Sequence, residues 1–345
     1  MKIAVVGATG SCGRQVAAQL LDRGVLGENL RLHLVGHESG AHRDELWGLR
    51  ADLNDAFFDH AVSIEIGFDV AETEADLVVM MAGATLTKET KNRAALADIN
   101  RRIFAEVAEG VSRLSQSVIV VIQSNPVELA VNAFAEVLPR QQIIGAGAWS
   151  DSLRFRRELA RDLGVRRSMV SAEVWGQHGD HVVPIWSKVR VRGVAEQRLA
   201  DVIGAAREGR ALSELAGEIG DVREVVLAKV NDGKIEEAFD FIQQKPADIR
   251  AAVKPFFTHF TAGRTTELAT AHAVVDLVEV IAHGNHVVCP AQIILEGEMG
   301  GLTGPIAVPT VIGQSGWTTV VETQIAPDEA EALFAAQSAI SRSLR

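Results

Sequence analysis

The sequence predicts an α/β protein in which a doubly wound parallel sheet is followed by a second lobe of mixed helices and strands. Short apolar runs alternate with helical patterns through the first half of the chain, which is typical of parallel strands joined by helices. A glycine-rich turn, Gly7–Gly13, separates the first apolar run from the first helical pattern. No internal repeat or low-complexity linker divides the chain, so we expect two closely packed lobes at residues 1–146 and 147–345.

The sheet of the first lobe is predicted from apolar runs of strand length. They lie at Lys2–Val6, Leu30–Val35, Ser63–Gly67, Leu77–Met81, Val118–Gln123 and Gln142–Ile144. Helical spacing of apolar residues predicts helices between several of these runs, at Gln15–Leu21, Ala94–Leu114 and Glu128–Val137. Strands in this order are expected to pair in parallel, with right-handed helical crossovers.

The second lobe has a different pattern, rich in helices. Helices are predicted at Ser152–Leu163, Ala269–Ala282 and Asp328–Arg345, with a largely helical stretch at Val194–Phe257. Strands are predicted at Ser171–Trp175, Lys188–Arg192, His286–Leu295 and Ile306–Ile312. We expect the last two strands to be antiparallel, so this lobe is predicted to be of the α+β type.

Composition and charge exclude several classes of function. The chain has 345 residues and a net charge of -11, and no basic block offers a surface for a nucleic-acid backbone. Its two cysteines, Cys12 and Cys289, are too few for a disulfide framework. The first residues, MKIAVVGATG, lack the pattern of a signal peptide, and the longest apolar runs are of strand length. We therefore expect a cytoplasmic protein that binds no membrane; no pattern predicts a metal site.

The glycine-rich turn between the first strand and helix predicts a dinucleotide site. Glycines there permit a tight turn and let the backbone approach a pyrophosphate, whose charge then sits at the helix N-terminus. A turn that merely needs glycine is the alternative, and its position after a strand and before a helix favours the dinucleotide. The residues expected to contact the cofactor in this turn are Gly7, Thr9, Gly10, Ser11, Cys12 and Gly13.

The end of the second strand bears on the choice between NAD and NADP. An acidic residue at that end usually binds the ribose hydroxyls of NAD, but Gly36 stands at this position. His37, Ser39 and Arg43 are polar residues suited to surround a 2′-phosphate, which favours NADP slightly. Glu38 is placed to serve the NAD role instead, so both cofactors stay open.

Two further polar clusters bring together residues suited to acid–base chemistry. Asp151 and Arg154 are three residues apart near the start of a predicted helix, which puts them on one face. His178 lies in Gln177-His178-Gly179-Asp180, a polar turn at the end of an apolar strand. A buried carboxylate orients an imidazole and raises its proton affinity, while an arginine binds a substrate carboxylate with two parallel hydrogen bonds. A surface ion pair is the alternative for Asp151 and Arg154 taken alone.

With these residues in place, the chain resembles the lactate/malate dehydrogenase family of 2-hydroxy acid dehydrogenases, and the malate type more than the lactate type. The resemblance runs in order over nearly the whole chain. It rests on Gly7–Gly13, Ser124–Val127, Asp151–Arg154, Gly176–Asp180 with Pro184 and Trp186, and Ile306–Gly313. It implies a Rossmann dinucleotide-binding domain followed by an α+β substrate domain, and a homodimer or homotetramer.

The resemblance also implies a role for each matching residue in converting a 2-hydroxy acid to its 2-oxo acid. His178 matches the proton donor and acceptor, and Asp151 the carboxylate that orients it. Arg154 matches the arginine that binds the substrate carboxylate, and Arg93 a loop arginine that polarises the reacting carbonyl. The two asparagines match residues near the cofactor: Asn100 and Asn125, the latter also near the substrate oxygen and followed by a proline of cis type in the family.

The chain departs from the family pattern at three places. Malate-type members carry an arginine six residues before the position of Arg93, where this chain has Thr87, with Lys88 as the nearest cation. The stretch between Trp186 and Gly263 is longer than usual, and its pattern leaves open whether it caps the pocket, makes a subunit contact or has no function. Gln177 and His181 flank the core of the histidine turn where the family more often has glutamate and serine, and Thr265 lies near a family substrate-pocket position.

Two other classes of protein share the glycine-rich turn. Extended short-chain dehydrogenases and epimerases require a tyrosine, and this chain contains none. A nucleotide-binding sensor with no catalytic activity would not need the four residues that match the family's catalytic and substrate-binding positions, Arg93, Asp151, Arg154 and His178. The family resemblance implies malate and oxaloacetate as the expected substrates, because malate is frequent in the family, with lactate or a bulkier 2-hydroxy acid as the alternative.

Overall fold

A long mixed sheet flanked by helices organises the chain in a computed structural model that describes residues 1–25, 31–60, 62–84, 93–263 and 265–345, with the backbone alone for 93–95. The strands of the first lobe are β1 (Lys2–Val6), β2 (Arg31–Val35), β3 (Ser63–Gly67), β4 (Leu77–Met80), β5 (Ile119–Ile122) and β6 (Ile143–Gly145). Its helices are α1 (Ser11–Asp22), α2 (Ala41–Ala56), α3 (Arg93–Ser112) and α4 (Val127–Ala135).

The six strands of the first lobe confirm the predicted doubly wound parallel sheet. Their order is β3-β2-β1-β4-β5-β6, with every neighbouring pair parallel. The order changes direction beside β1, whose last residue, Val6, pairs with Val35 on one side and Met80 on the other. The loops that follow these residues therefore lie side by side at the carboxyl edge, where ligands bind in sheets of this kind.

Apolar residues cover both faces of this parallel sheet. Side chains alternate between the faces of a strand. In β1, Ile3 and Val5 accordingly join one buried cluster, while Ala4 and Val6 join another. A strand buried on both faces needs an unbroken apolar sequence, which explains why these strands are visible as apolar runs.

The second lobe extends the same sheet with antiparallel strands. Its helices and strands are α5 (Gly147–Leu163), β7 (Val170–Ser171), β8 (Val174–Gly176), β9 (Val182–Pro184), β10 (Arg190–Val191), α6 (Glu196–Arg207), α7 (Leu215–Asn231), α8 (Ile235–Gln243), α9 (Ala247–Ala262), α10 (Glu267–His283), β11 (Val287–Glu296), α11 (Glu298–Gly301), β12 (Thr303–Gly313), β13 (Gly316–Val320) and α12 (Pro327–Ser343). The strand order continues from β6 to β11, β12, β8 and β9, with β13 beside β12. The β8–β9 hairpin, whose turn carries His178, therefore belongs to the same sheet as β1, the strand before the glycine-rich turn.

Two strand predictions in the second lobe were wrong in detail. Ser171–Trp175 is not one strand: Val170–Ser171 pairs with Arg190–Val191 in a separate two-stranded sheet, whereas Val174–Gly176 joins the main sheet. Only Arg190–Val191 of the predicted strand Lys188–Arg192 is extended in a sheet. Local apolar pattern cannot show that neighbouring residues pair with different partners.

A predicted helical stretch is confirmed, whereas a helix and a strand elsewhere were not predicted. The stretch predicted as largely helical, Val194–Phe257, forms α6, α7, α8 and most of α9. Helix α2 and strand β13 were not predicted, although Leu46, Leu49 and Leu53 of α2 have helical spacing and are buried. None of the described helices combines the length and apolar character needed to cross a bilayer.

Candidate active site

The glycine-rich turn after β1 has no room for a side chain at its first and last glycines, Gly7 and Gly13. Gly7 has a φ of 85°, and a Cβ atom on it would lie 2.6 Å from the backbone nitrogen of Ala82. A Cβ atom on Gly13 would lie 2.2 Å from the Gly7 carbonyl oxygen. Gly10 offers no side-chain cap to α1, so the first backbone N–H groups of this helix are available to an anion. The turn therefore fits a pyrophosphate group.

The end of β2 contains the residues from which the cofactor preference was predicted. Gly36 packs against α2, because a Cβ atom on it would lie 2.8 Å from Leu46 Cδ1. The Ser39 hydroxyl lies 2.8 Å from His37 Nδ1, and the Arg43 guanidinium lies 5.8 Å from the centre of the Phe68 ring. These side chains are close to the β2 end, as the sequence predicted, but they contact protein groups on this surface.

Asn100 connects two loops at the carboxyl edge of the sheet. Its side chain is fully buried and accepts a hydrogen bond from the Ala84 N–H at 2.7 Å. It donates to the carbonyl oxygens of Ala84 and Asn125 at 3.1 and 2.9 Å. The Asn125–Pro126 peptide bond is cis, as the resemblance implies. Asn100 thus fixes the loop of Asn125 beside the end of β4.

The structure brings His178, Asp151 and Arg154 into one cluster. Helix α5 carries Asp151 and Arg154 one turn apart, and the β8–β9 turn carries His178. His178 Nδ1 lies 2.7 Å from Asp151 Oδ2, and Arg154 Nη1 donates to Asp151 Oδ1 at 3.1 Å. Gly147 makes room for the ring, because a Cβ atom on it would lie 2.7 Å from His178 Cγ. One carboxylate therefore aligns an imidazole and a guanidinium.

Three residues of this cluster were missed by sequence reasoning. Thr266, at the start of α10, accepts a hydrogen bond from Arg154 Nη2 at 3.0 Å, whereas its neighbour Thr265, which the sequence places near a family substrate-pocket position, is exposed. Glu128 Oε1 accepts from the His178 backbone N–H at 2.7 Å and from Gln292 Nε2 at 3.3 Å. The only local signal is a polar residue in an otherwise apolar element, as with Glu128 in α4 and Gln292 in β11.

Charge and burial set the protonation of the cluster. Burial alone would lower the pKa of His178, but the charge and hydrogen bond of Asp151, with the charge of Glu128, raise the pKa above its ordinary value. Burial opposes ionisation of Asp151, yet His178 and Arg154 hold the pKa of this carboxyl below its usual range. Burial raises the pKa of Glu128, against the hydrogen bond from His178. The pair of His178 and Asp151 therefore favours an imidazolium beside a carboxylate.

Cys12 links the glycine-rich turn to the cluster. Burial raises the pKa of its thiol to about 11, and the charges of Glu267 and Arg154 also act on it. The start of α1 is therefore within electrostatic range of the arginine cluster. At neutral pH this cysteine is a thiol and not a nucleophilic thiolate.

Three of the predicted site residues have no side chain among the described parts of the structure. Thr87 and Lys88 lie outside the described residues, and Arg93 is described by its backbone alone, as the first residue of α3. The part of the chain that the structure describes contains no group of three or more His, Cys, Asp or Glu side chains that could hold a metal ion.

Comparison with known families matches both lobes of the chain. A model of the lactate/malate dehydrogenase NAD binding domain matches residues 1–145. A model of the lactate/malate dehydrogenase alpha/beta C-terminal domain matches residues 150–229 and 219–344. The chain belongs to the lactate/malate dehydrogenase family. It is therefore an oxidoreductase of the 2-hydroxy acid dehydrogenase type, with an NAD-binding Rossmann domain.

Individual relatives in this family carry both substrate names. The malate dehydrogenase of Halobacterium salinarum is 28% identical over 348 residues, which cover 99% of this chain and 97% of the relative. The L-lactate dehydrogenase of Staphylococcus saprophyticus is 28% identical over 337 residues, which cover 96% of this chain and 92% of the relative. Among solved structures, the malate dehydrogenase from Aeropyrum pernix matches 100% of this chain and 97% of its own, at 22% identity and a TM-score of 0.77. That last likeness concerns the fold.

Proposed function

We propose that this chain is an NAD-dependent dehydrogenase that interconverts malate and oxaloacetate. The observation that carries the proposal is the placement of His178 and Arg154 on the two oxygens of the Asp151 carboxylate. A proton donor and a cation for a substrate carboxylate are then held by one anion. Hydride transfer at the carbon beside a carboxylate needs both groups at once.

The proposed mechanism assigns the proton to His178. Since Nδ1 contacts Asp151, the other ring nitrogen, Nε2, exchanges the proton with the substrate oxygen. A dinucleotide with its pyrophosphate at the glycine-rich turn would supply the nicotinamide that gives or accepts the hydride. During reduction the imidazolium gives its proton to the carbonyl oxygen, and during oxidation the neutral imidazole takes the hydroxyl proton. Asp151 stabilises the imidazolium and fixes the ring orientation.

The proposed substrate contacts come from several elements. Arg154 binds the carboxylate next to the reacting carbon, and Thr266 and Asp151 hold its guanidinium in place. Arg93 polarises the reacting oxygen, and Asn125 contacts it from the loop that Asn100 fixes. These roles follow from the family resemblance. For Arg93 the structure describes the backbone only.

The proposal takes NAD as the cofactor in preference to NADP. The matching family model describes an NAD binding domain, and the slight preference for NADP predicted from His37, Ser39 and Arg43 gains no support from the relatives. Glu38, shortly after the end of β2, adds negative charge there, whereas the charge of Glu45 in α2 is paired with Arg14 at 3.5 Å. Negative charge at this place disfavours a 2′-phosphate.

Lactate and pyruvate form the second candidate pair. The observation that favours them is Thr87, a neutral residue at the position where malate-type members carry an arginine. Lys88 supplies a cation in the same loop and favours malate, as a point charge without the two-pronged geometry of arginine. An L-lactate dehydrogenase stands among the relatives at the same identity as a malate dehydrogenase.

Steady-state assays with purified protein test the proposal. NADH and NADPH oxidation are measured with oxaloacetate, pyruvate and a bulkier 2-oxo acid. We expect the highest kcat/KM with NADH and oxaloacetate, and a loss of that preference in Lys88→Ala but not in Lys91→Ala. A preference for pyruvate would change the proposed substrate pair to lactate and pyruvate. Turnover with none of the six pairs of cofactor and 2-oxo acid would refute the proposal.

We also propose that the protein is a homodimer or homotetramer. Light scattering coupled to size-exclusion chromatography tests this oligomeric state.

A further inference from the structure

Helix α7 lies in the stretch between Trp186 and Gly263, which the sequence predicts to be longer than the family pattern. The match to the C-terminal family model divides here, because its two parts overlap at residues 219–229, inside α7 (Leu215–Asn231). Apolar residues one and two turns apart, Ile219, Val222 and Val226, are buried against the rest of the lobe. The helix is therefore packed against the protein and positions the side chains at its edge.

Arg223 of α7 contacts the turn that carries His178. Its Nη1 donates to Asp180 Oδ1 at 2.5 Å, and its Nη2 donates to the Gly179 carbonyl oxygen at 3.3 Å. The guanidinium also lies over the Phe256 ring of α9, 5.6 Å from its centre. Its side chain is 20% exposed, so the ion pair with Asp180 is partly shielded from water. Two donors of one rigid group thus hold two consecutive residues of the turn.

Within the turn itself, one backbone hydrogen bond and one glycine define the path of the chain. Gln177 N–H donates to the His181 carbonyl oxygen at 3.1 Å, which closes the turn between β8 and β9. Gly179 has a φ of 112°, a conformation that other residues rarely adopt, and a Cβ atom on it would meet no described atom within 4 Å. A glycine in open space is conformationally free, so the residue directly after His178 is fixed by partners outside the turn.

Three elements then hold His178 from three directions. Asp151 of α5 binds the ring at Nδ1, and Glu128 of α4 binds the backbone N–H. Arg223 of α7 holds the carbonyl of the next residue. The first two contacts define where the ring and its backbone nitrogen lie. The third restrains the peptide group between Gly179 and Asp180.

We propose that Arg223 is a positioning residue that fixes the Gly179–Asp180 segment and thereby holds His178 in line with the substrate oxygen. The inference rests on the proposed role of His178 as the proton donor and acceptor. It gives helix α7 a function at the active site. Displacement of a catalytic group by about 1 Å is enough to cost about a hundredfold in rate.

Variants of Arg223 and of Lys229 test this inference. Lys229 lies on the same helix and pairs with Glu237 of α8 at 3.0 Å, with no contact to the turn. In Arg223→Ala we expect kcat to fall about 10- to 100-fold, while KM for the 2-oxo acid and Kd for NADH stay within about threefold. Arg223→Lys keeps the charge beside Asp180 and should recover part of kcat. Lys229→Ala should leave kcat unchanged within about twofold.

The His178 Nδ1–H resonance gives a readout that does not depend on turnover. It is assigned by its loss in His178→Asn, and we expect it to shift and broaden in Arg223→Ala but not in Lys229→Ala. An unchanged resonance, or equal losses of kcat in the two alanine variants, would overturn the inference. A wild-type protein without turnover would refute the proposed function alone, because the resonance still decides whether Arg223 holds His178.

Discussion

Asp151 and His178 form a close contact between helix α5 and the β8–β9 turn, with 2.7 Å between Oδ2 and Nδ1. The other oxygen of the same carboxylate accepts from Arg154 at 3.1 Å. The three side chains are at most 16% exposed, so the attraction between them is little screened by water. A change at any one of them is therefore expected to alter the other two.

Replacement of His178 is expected to separate catalysis from cofactor binding. His178→Asn removes the proton donor, so kcat should fall about 10²- to 10⁴-fold, the range typical of a lost general acid or base. NADH binding, measured by fluorescence titration, should stay within about twofold. His181→Asn is the matched control, because His181 contributes its backbone carbonyl to the turn. Loss of NADH binding in His178→Asn would show that this residue has been assigned the wrong role.

The kcat/KM values for 2-oxo acid reduction and for 2-hydroxy acid oxidation should depend on pH in opposite directions. The pKa of His178 is raised by Asp151, so the imidazolium persists to a higher pH than in a free histidine. The kcat/KM for reduction of the 2-oxo acid should be constant below this pKa and fall as the pH rises through it. The kcat/KM for oxidation should rise over the same interval, because it requires the neutral ring.

Asp151→Asn should move both pH profiles in one direction. Without the carboxylate, burial still lowers the pKa of His178, so the transition should occur at a lower pH and kcat should fall at least about tenfold. Asp52→Asn, at an exposed position of α2, is the control and should leave the profile in place. Profiles of wild type and Asp151→Asn that coincide would contradict the assigned cause.

Thr266 should affect substrate binding more than the chemical step. Thr266→Val removes the oxygen that accepts from Arg154 Nη2 and leaves a partly buried guanidinium N–H without that partner. KM for the 2-oxo acid should rise about tenfold, with kcat within about threefold. Thr265→Val changes the exposed neighbour and should alter neither constant. A higher KM in Thr265→Val, with KM unchanged in Thr266→Val, would assign this role to Thr265 instead.

The parallel sheet and its glycine-rich turn were predictable because their causes are local. Strands buried on both faces must be apolar throughout, and the close approach of the turn to the backbone just after β4 allows only glycine at Gly7. The pairing of Asp151 with Arg154 follows from helical spacing in the same way. These features need only a few neighbouring residues to be recognised.

Contacts between distant parts of the chain could not be predicted in this way. Gln292 and Glu128 are 164 residues apart, and Arg223 and Asp180 are 43 apart, so no local pattern joins them. The choice between Thr265 and Thr266 depends on a register of one residue at the start of α10. Thr87 and Lys88 lie outside the described residues, and their roles stay predictions.

The protein should bind NADH more weakly when a substitution displaces the backbone of the glycine-rich turn. In Gly13→Ala the new Cβ atom would lie 2.2 Å from the Gly7 carbonyl oxygen, so the start of α1 must move away from the turn. We expect the Kd for NADH to rise at least about tenfold, since the helix N-terminus no longer meets the pyrophosphate. The measurement is fluorescence titration of protein whose folding has been verified by circular dichroism.

Gly48→Ala is the matched control for Gly13→Ala. Gly48 lies inside α2, and a Cβ atom on it would meet no described atom within 4 Å. This change should leave the Kd for NADH unaltered and raise the free energy of unfolding by about 0.5–1 kcal/mol, because alanine favours the helix. Equal NADH affinity in Gly13→Ala and wild type would mean that the cofactor does not approach α1 through this turn. Weaker NADH binding in Gly48→Ala would point instead to α2 and the end of β2 as the region that controls affinity.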